Sequence, residues 1–174
     1  MTCLGKTGSY QLSAPMRSES EMLNVLAKYC SQTERCLYDV RKKIQIENLS
    51  GDAEKRIIDK LLQDKFIDEK RFARSFVHDK FYFNRWGRIK IAYELKLRGI
   101  LPEVYYEAIE AIDEDEYMSA LFEILTNKKK LTKGRSSQDL FQKLYRFAAS
   151  RGFETSIIVG TLKKMFENIH IDDE

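Results

Sequence analysis

Three segments of this chain repeat one theme. Arg41-Lys42-Lys43-Ile44, Lys96-Leu97-Arg98-Gly99-Ile100 and Ala149-Ser150-Arg151-Gly152-Phe153 each read as the close of a short helix. Ile44 precedes Ile100 by 56 positions, and Ile100 precedes Phe153 by 53. A recurrence of that length, filled by helical rather than strand periodicity, points to a tandem array of three-helix units. One such unit buries too little apolar surface to stand alone, so neighbours must stack. The expected fold is all-α: an elongated, curved array of three three-helix repeats. Repeat 1 takes residues 18–67, repeat 2 takes 68–113 and repeat 3 takes 114–168. A flexible tail is expected over 1–17 and an acidic one over 169–174. The alternative is an irregular single bundle.

Local signals fill in each unit. Met22, Val25, Leu26 and Tyr29 make an apolar stripe at i, i+3, i+4 and i+7. Thr33 is placed to cap a second helix carrying Leu37, Val40 and Ile44 inward, and Ile57, Leu61 and Leu62 mark a third. Asp68 is placed to cap a helix through Phe72, Phe76 and Phe83, followed by another from about Trp86 to Arg98. Gly99 suits the left-handed position after a helix, and Pro102 the first turn of the next. Asp113 to Glu116 set acids where a helix dipole favours them, ahead of Met118, Leu121, Phe122 and Leu125 as inward residues. Residues 128–138 read as a basic loop. Two last helices carry Leu140, Leu144 and Ala148, then Ile158, Leu162 and Met165.

Charge is distributed in blocks. Lys and Arg number 30 against 27 Asp and Glu, a net charge of +3 that hides the pattern. Residues 70–98 hold nine cations and two acids, residues 101–125 eight acids and no cation, and residues 126–151 eight cations and one acid. Such blocks act as separate surfaces or pair with one another as solvated helix faces. No apolar run is long enough to span a membrane, and no signal peptide is visible, so a cytoplasmic location is expected. Cys3, Cys30 and Cys36 are an unpatterned set, as in reduced proteins.

The familiar catalytic and ligand patterns fail. Gly5-Lys6-Thr7 lacks the upstream glycine and strand of a phosphate loop. His78 and His170 have no metal-ligand spacing around them, and Asp113, Asp115 and Glu116 lack the rest of a calcium loop. No enzyme signature, metal or cofactor is expected. What remains is Lys70-Arg71-Phe72-Ala73-Arg74 and Lys80 to Lys90, where cations interleave with aromatics. The contact candidates, chosen on charge and helical position, are Arg71, Arg74, Arg85, Trp86, Arg88, Lys90, Lys96 and Arg98. A second basic set adds Lys128, Lys129, Lys130, Lys133 and Arg135. Cations of this kind neutralise phosphates or meet acidic protein, and exposed aromatics stack on bases. Trp86 also reads as a core anchor at a helix junction.

Ile67-Asp68-Glu69-x-Arg71-Phe72-Ala73, followed by Gly87-Arg88-Ile89-x-x-x-x-Glu94-Leu95-x-x-Arg98-Gly99-Ile100, closely resembles the RecX family of recombinase regulators. The likeness covers about residues 20–168 and is most specific from Phe66 to Ile100. Repeat 1 departs from it at Lys42-Lys43-Ile44-Gln45, and repeat 3 matches only at Arg151-Gly152-Phe153. The resemblance implies three tandem three-helix repeats in a non-enzymatic protein without cofactor. Its implied partners are the RecA recombinase filament and single-stranded DNA, met directly or through RecA, with mostly inhibitory effects on recombinase, ATPase and coprotease activity. A monomer is expected. Reversing Arg88 and Lys90 to Glu is expected to weaken filament binding with helicity unchanged. The alternative is a general helical nucleic-acid-binding module that acts without RecA.

Overall fold

A computed structural model describes residues 17–46, 49 and 51–167. Apart from Arg17, the two expected tails lie outside the described residues. Helices α1 (Glu19–Gln32), α2 (Leu37–Ile46) and α3 (Gly51–Gln63) form the first unit. Helices α4 (Glu69–His78), α5 (Arg88–Leu97) and α6 (Pro102–Glu110) form the second, and α7 (Glu114–Lys130), α8 (Ser137–Ser150) and α9 (Thr155–Glu167) the third. No strand occurs among the described residues, and the chain is a helical repeat array.

In the first unit, Ser18 and Glu21 form a reciprocal capping box that satisfies amides at the start of α1. The stripe buried by α1 is Met22, Leu26 and Cys30, with Val25 and Tyr29 at its margin. Thr33 does not cap α2; it ends α1 in extended backbone, and Asp39 Oδ2 accepts the Cys36 amide at 3.4 Å instead. Ile44 lies inside α2 rather than after it. Repeat 1 has no glycine there to take a left-handed close, so the helix continues to Ile46. Along α3, Ile57, Ile58 and Leu61 turn inward and Leu62 outward. With Met22, Leu26, Val40, Ile44 and Ile67 they make a core belonging to this unit.

In the second unit Asp68 caps α4 by accepting the Arg71 amide at 2.9 Å, a bond that holds its carboxyl below the ordinary aspartate range. The helix continues as one π-helical turn, Asp79–Phe83. Its extra residue shifts the side-chain register. Phe81 therefore enters the core and Phe83, expected on the line of Phe72 and Phe76, is 75% exposed. Arg85 then takes a left-handed φ of 54° to turn the chain into α5. Gly99 (φ 76°) closes α5, and Pro102 opens α6 in its first turn.

In the third unit Asp113 caps α7 through the Glu116 amide at 3.0 Å. Acids fill the first turn of α7 and Lys128, Lys129 and Lys130 its last, both favoured by the helix dipole. The loop expected over 128–138 is thus only 131–136 long, because those lysines complete the helix. The inward residue at the head of α7 is Tyr117, whereas Phe122 is half exposed. Units two and three share one continuous core, from Phe72 on α4 to Met165 on α9, and Cys36 from the first unit inserts into it.

Candidate functional site

The glycines of the resemblance have a mechanical explanation. Gly87 precedes α5 and lies against the turn between α8 and α9. Its amide donates to the Arg151 carbonyl at 2.8 Å, and the Ile89 amide to the Gly152 carbonyl at 3.1 Å. A Cβ on Gly87 would stand 2.2 Å from the Gly152 oxygen, and one on Gly152 2.3 Å from Lys90 Cβ. Two backbones meet with no side chain between them. Arg151 adds a bond from its guanidinium to the Asn84 carbonyl at 2.8 Å.

Tyr117 sits under this seam, fully buried, between Phe81 (5.7 Å) and Phe153 (5.0 Å). Its hydroxyl accepts the Arg88 amide at 3.0 Å and donates to Glu154 Oε2 at 2.6 Å. Burial first, and the bond to Glu154 second, push its phenol far above the ordinary range, so it stays a neutral donor. Arg88 lies over the Tyr117 ring at 4.1 Å and donates to Glu114 at 2.6 Å. Arg88 is therefore part of the junction, and a carboxylate at that position would face Glu114 and Glu154. That geometry disagrees with the expectation that its reversal leaves helicity unchanged. Sequence reading missed Tyr117 because its signal, a tyrosine in an acidic helix start, is that of a surface residue.

The acidic block folds onto the basic one. Arg74 pairs with Glu107 at 2.7 Å and Lys70 with the same carboxylate at 3.7 Å, which holds Glu107 below the usual glutamate range. Arg85 pairs with Glu123 at 3.0 Å, Arg71 with Glu34 at 2.6 Å across the boundary with the first unit, and Arg98 with Glu94 at 2.7 Å. Five of the candidate arginines are thus engaged by carboxylates of their own chain.

Lys90 and Lys96 are different. Neither pairs with a carboxylate among the described residues, and Lys90 Nζ lies 4.4 Å from the centre of the half-buried Trp86 ring, with Lys80 Nζ 5.2 Å from it. Trp86 packs on the shared core from its edge, so it serves as anchor and as platform. At the far end, Lys128 lies over Phe147 and Lys129 over Phe166, while Lys130, Lys133 and Arg135 are exposed. The structure therefore separates the candidates into arginines paired within the chain, two lysines of α5, and the basic end of α7 with the loop after it. A groove of about 480 Å³ runs between α2 and the end of α5, lined by Tyr38, Arg41, Lys42, Gln45, Leu97 and Gly99 among others. Among the described residues no cluster of His, Cys, Asp and Glu could hold a metal, and no helix is long and apolar enough to cross a membrane.

Comparison with known proteins agrees with this architecture. The model of the second three-helix domain of RecX matches residues 68–109, and that of the third matches 114–159. The regulatory protein RecX of Clostridium botulinum (strain Eklund 17B / Type B) is 35% identical over 129 residues, which are 72% of this chain and 59% of that protein. Its counterpart in Clostridium tetani is 31% identical over 136 residues, 77% of this chain and 61% of that one. The chain thus spans about three-fifths of the length of these curated relatives. The crystal structure of RecX from Lactobacillus salivarius superposes with a TM-score of 0.70 at 21% identity, covering 84% of this chain and 95% of that one. A second RecX crystal structure gives 0.73 at 18% identity, covering 80% and 68%. The matched models cover the two units that Gly87 and Gly152 lock together, and the relatives extend the likeness beyond them: the chain belongs to the RecX family.

Proposed function

We propose that this chain is a non-enzymatic regulator of the RecA recombinase. It binds RecA filaments on single-stranded DNA and lowers their ATP hydrolysis, strand exchange and coprotease activity. The observation that carries this reading is the match of both junction-forming units to RecX domains. A stacked helical array offers a long shallow surface rather than a pocket, which suits a filament groove contacted across adjacent subunits. The three repeats run over 18–67, 68–113 and 114–168, and the protein works as a cytoplasmic monomer. Arg71, Arg85 and Arg88 bridge between units, and Arg74 and Arg98 pair within the second. Lys90, Lys96 and Trp86, with the basic end at Lys128–Lys130, Lys133 and Arg135, are left to meet the filament.

The test is RecA's single-strand-dependent ATP hydrolysis with this protein added below the recombinase concentration. Substoichiometric suppression is expected, and no suppression at any ratio would overturn the reading. The basic end of α7, which meets no carboxylate among the described residues, favours a second reading, a nucleic-acid-binding module independent of RecA. That module would bind duplex DNA without recombinase, with affinity falling steeply as salt rises.

A further inference from the structure

Helix α5 is apolar on two sides. Ile91 and Leu95 are fully buried, as a helix packed on a core requires. On the opposite side Ile89, Tyr93 and Leu97 recur at i, i+4 and i+8 and are 56%, 59% and 56% exposed. A single exposed apolar residue needs no account, but three on one helical line make a stripe that no described residue covers. Lys90 and Lys96 border the stripe without carboxylate partners among the described residues, and Glu94, the one acid of the helix, is turned aside to Arg98. Leu97 leads into the groove along α2, where Arg41, Lys42 and the exposed Tyr38 continue the same mixture.

We infer that the outer face of α5 and this groove dock an acidic amphipathic helix of a protein partner. The occupant places apolar side chains at i, i+3, i+4 and i+7 on Ile89, Tyr93 and Leu97, and its flanking carboxylates meet Lys90, Lys96 and Lys42. Charge complementarity selects the occupant: Lys90, Lys96 and Lys42 border the apolar line with no carboxylate partner among the described residues, against one acid of the groove wall, Glu69, while Glu94 and Glu54 are paired to Arg98 and Arg41. Nucleic acid fits this face less well. Bases stack on aromatic rings, and two of the three stripe residues are branched aliphatics that offer no ring. The inference concerns the protein contact of the function proposed above and, in its filament arm, rests on that reading.

The test uses the full chain and the variant Ile89→Gln/Tyr93→Gln/Leu97→Gln, whose changes are all at exposed positions. The first probe is a synthetic Leu/Glu amphipathic helix of about five turns. It is expected to shift amide resonances along α5 and α2, and the variant should bind at least about tenfold more weakly. No binding, or shifts confined to other helices, would overturn the inference. So would single-stranded oligothymidine shifting the same amides at lower concentration than the peptide. The second probe is the RecA–DNA filament. If the parent chain and the variant bind it equally, the docking face is wrong and the filament reading stands. If neither binds it while the peptide still seats on α5, the filament reading is wrong and the docking face stands.

Discussion

Gly99 and Gly152 end equivalent helices with similar left-handed backbones, φ 76° and 85°, yet only one of them lies in a seam. Alanine at Gly99 would meet nothing within 4 Å, so its cost is the left-handed strain alone, about 1–2 kcal/mol. Reduced freedom of the unfolded chain returns about 0.4–1 kcal/mol of that. Alanine at Gly152 carries the same strain and also drives Cβ into the Lys90 backbone and side chain. Overpacking of that kind adds about 1–3 kcal/mol. Gly87, at φ −79°, carries no strain, so Gly87→Ala isolates the contact itself. Forcing the seam apart there threatens two backbone hydrogen bonds worth about 1 kcal/mol each beside the overpacking. The expected losses are about 1 kcal/mol for Gly99→Ala and about 2–4 for each of Gly87→Ala and Gly152→Ala. Gly160→Ala, in α9 with open space around it, should instead gain about 0.5–1 kcal/mol. Urea unfolding followed by far-UV circular dichroism measures all four. If Gly87→Ala proves as mild as Gly99→Ala, the backbone seam is not what joins the second and third units.

Tyr117→Phe leaves the Arg88 amide and the Glu154 carboxylate without their shared hydroxyl and should cost about 1–3 kcal/mol in the same assay; an unchanged midpoint would refute its role under the seam. Burial pushes the Cys36 thiol up to about 11 from 9.0. Folding thus favours the neutral thiol, whose contribution is complete below about 9 and fades as pH rises through about 11. Tyr117 shifts in the same direction, so stability should decline on the alkaline side of that window, and a midpoint that rises there would contradict the assignment. In a Cys3→Ser variant, labelling of Cys30 and Cys36 by a disulfide reagent should follow unfolding; reaction at the rate of a free thiol in the native protein would show them accessible. Arg88→Glu should lower the thermal midpoint, while Lys90→Glu with Lys96→Glu should leave it near the parent value and weaken filament binding. The reverse ranking would exchange their structural and contact roles.

Elements set by local chemistry are legible in the sequence. Asp68 caps, Gly99 turns left-handed, Pro102 opens α6 and the acids from Asp113 start α7, because each acts on its own few residues. Relations between distant positions are not. Arg74 and Glu107 lie 33 residues apart and Arg85 and Glu123 38 apart, and no periodicity says which acid meets which cation. Gly87 belongs to the family motif, but its reason is the carbonyl of Gly152 in another unit. The π-helical turn is hidden too, since a single inserted residue leaves the surrounding helical pattern intact while turning Phe83 outward. For the candidate surface, composition reveals the cations but not that folding occupies five arginines around the second unit and leaves Lys90 and Lys96.

Folding the acidic block onto the basic one also governs how a partner is found. Beyond a screening length of about 8 Å at physiological salt, an approaching molecule feels paired charges as near-cancelling dipoles, not as a positive field. Encounter with the second repeat is then largely unsteered, with association rates in the ordinary range of about 10⁵–10⁷ M⁻¹s⁻¹ that change little with ionic strength. Discrimination between right and wrong surfaces falls to dissociation, and hence to how long the short-range contacts last once made.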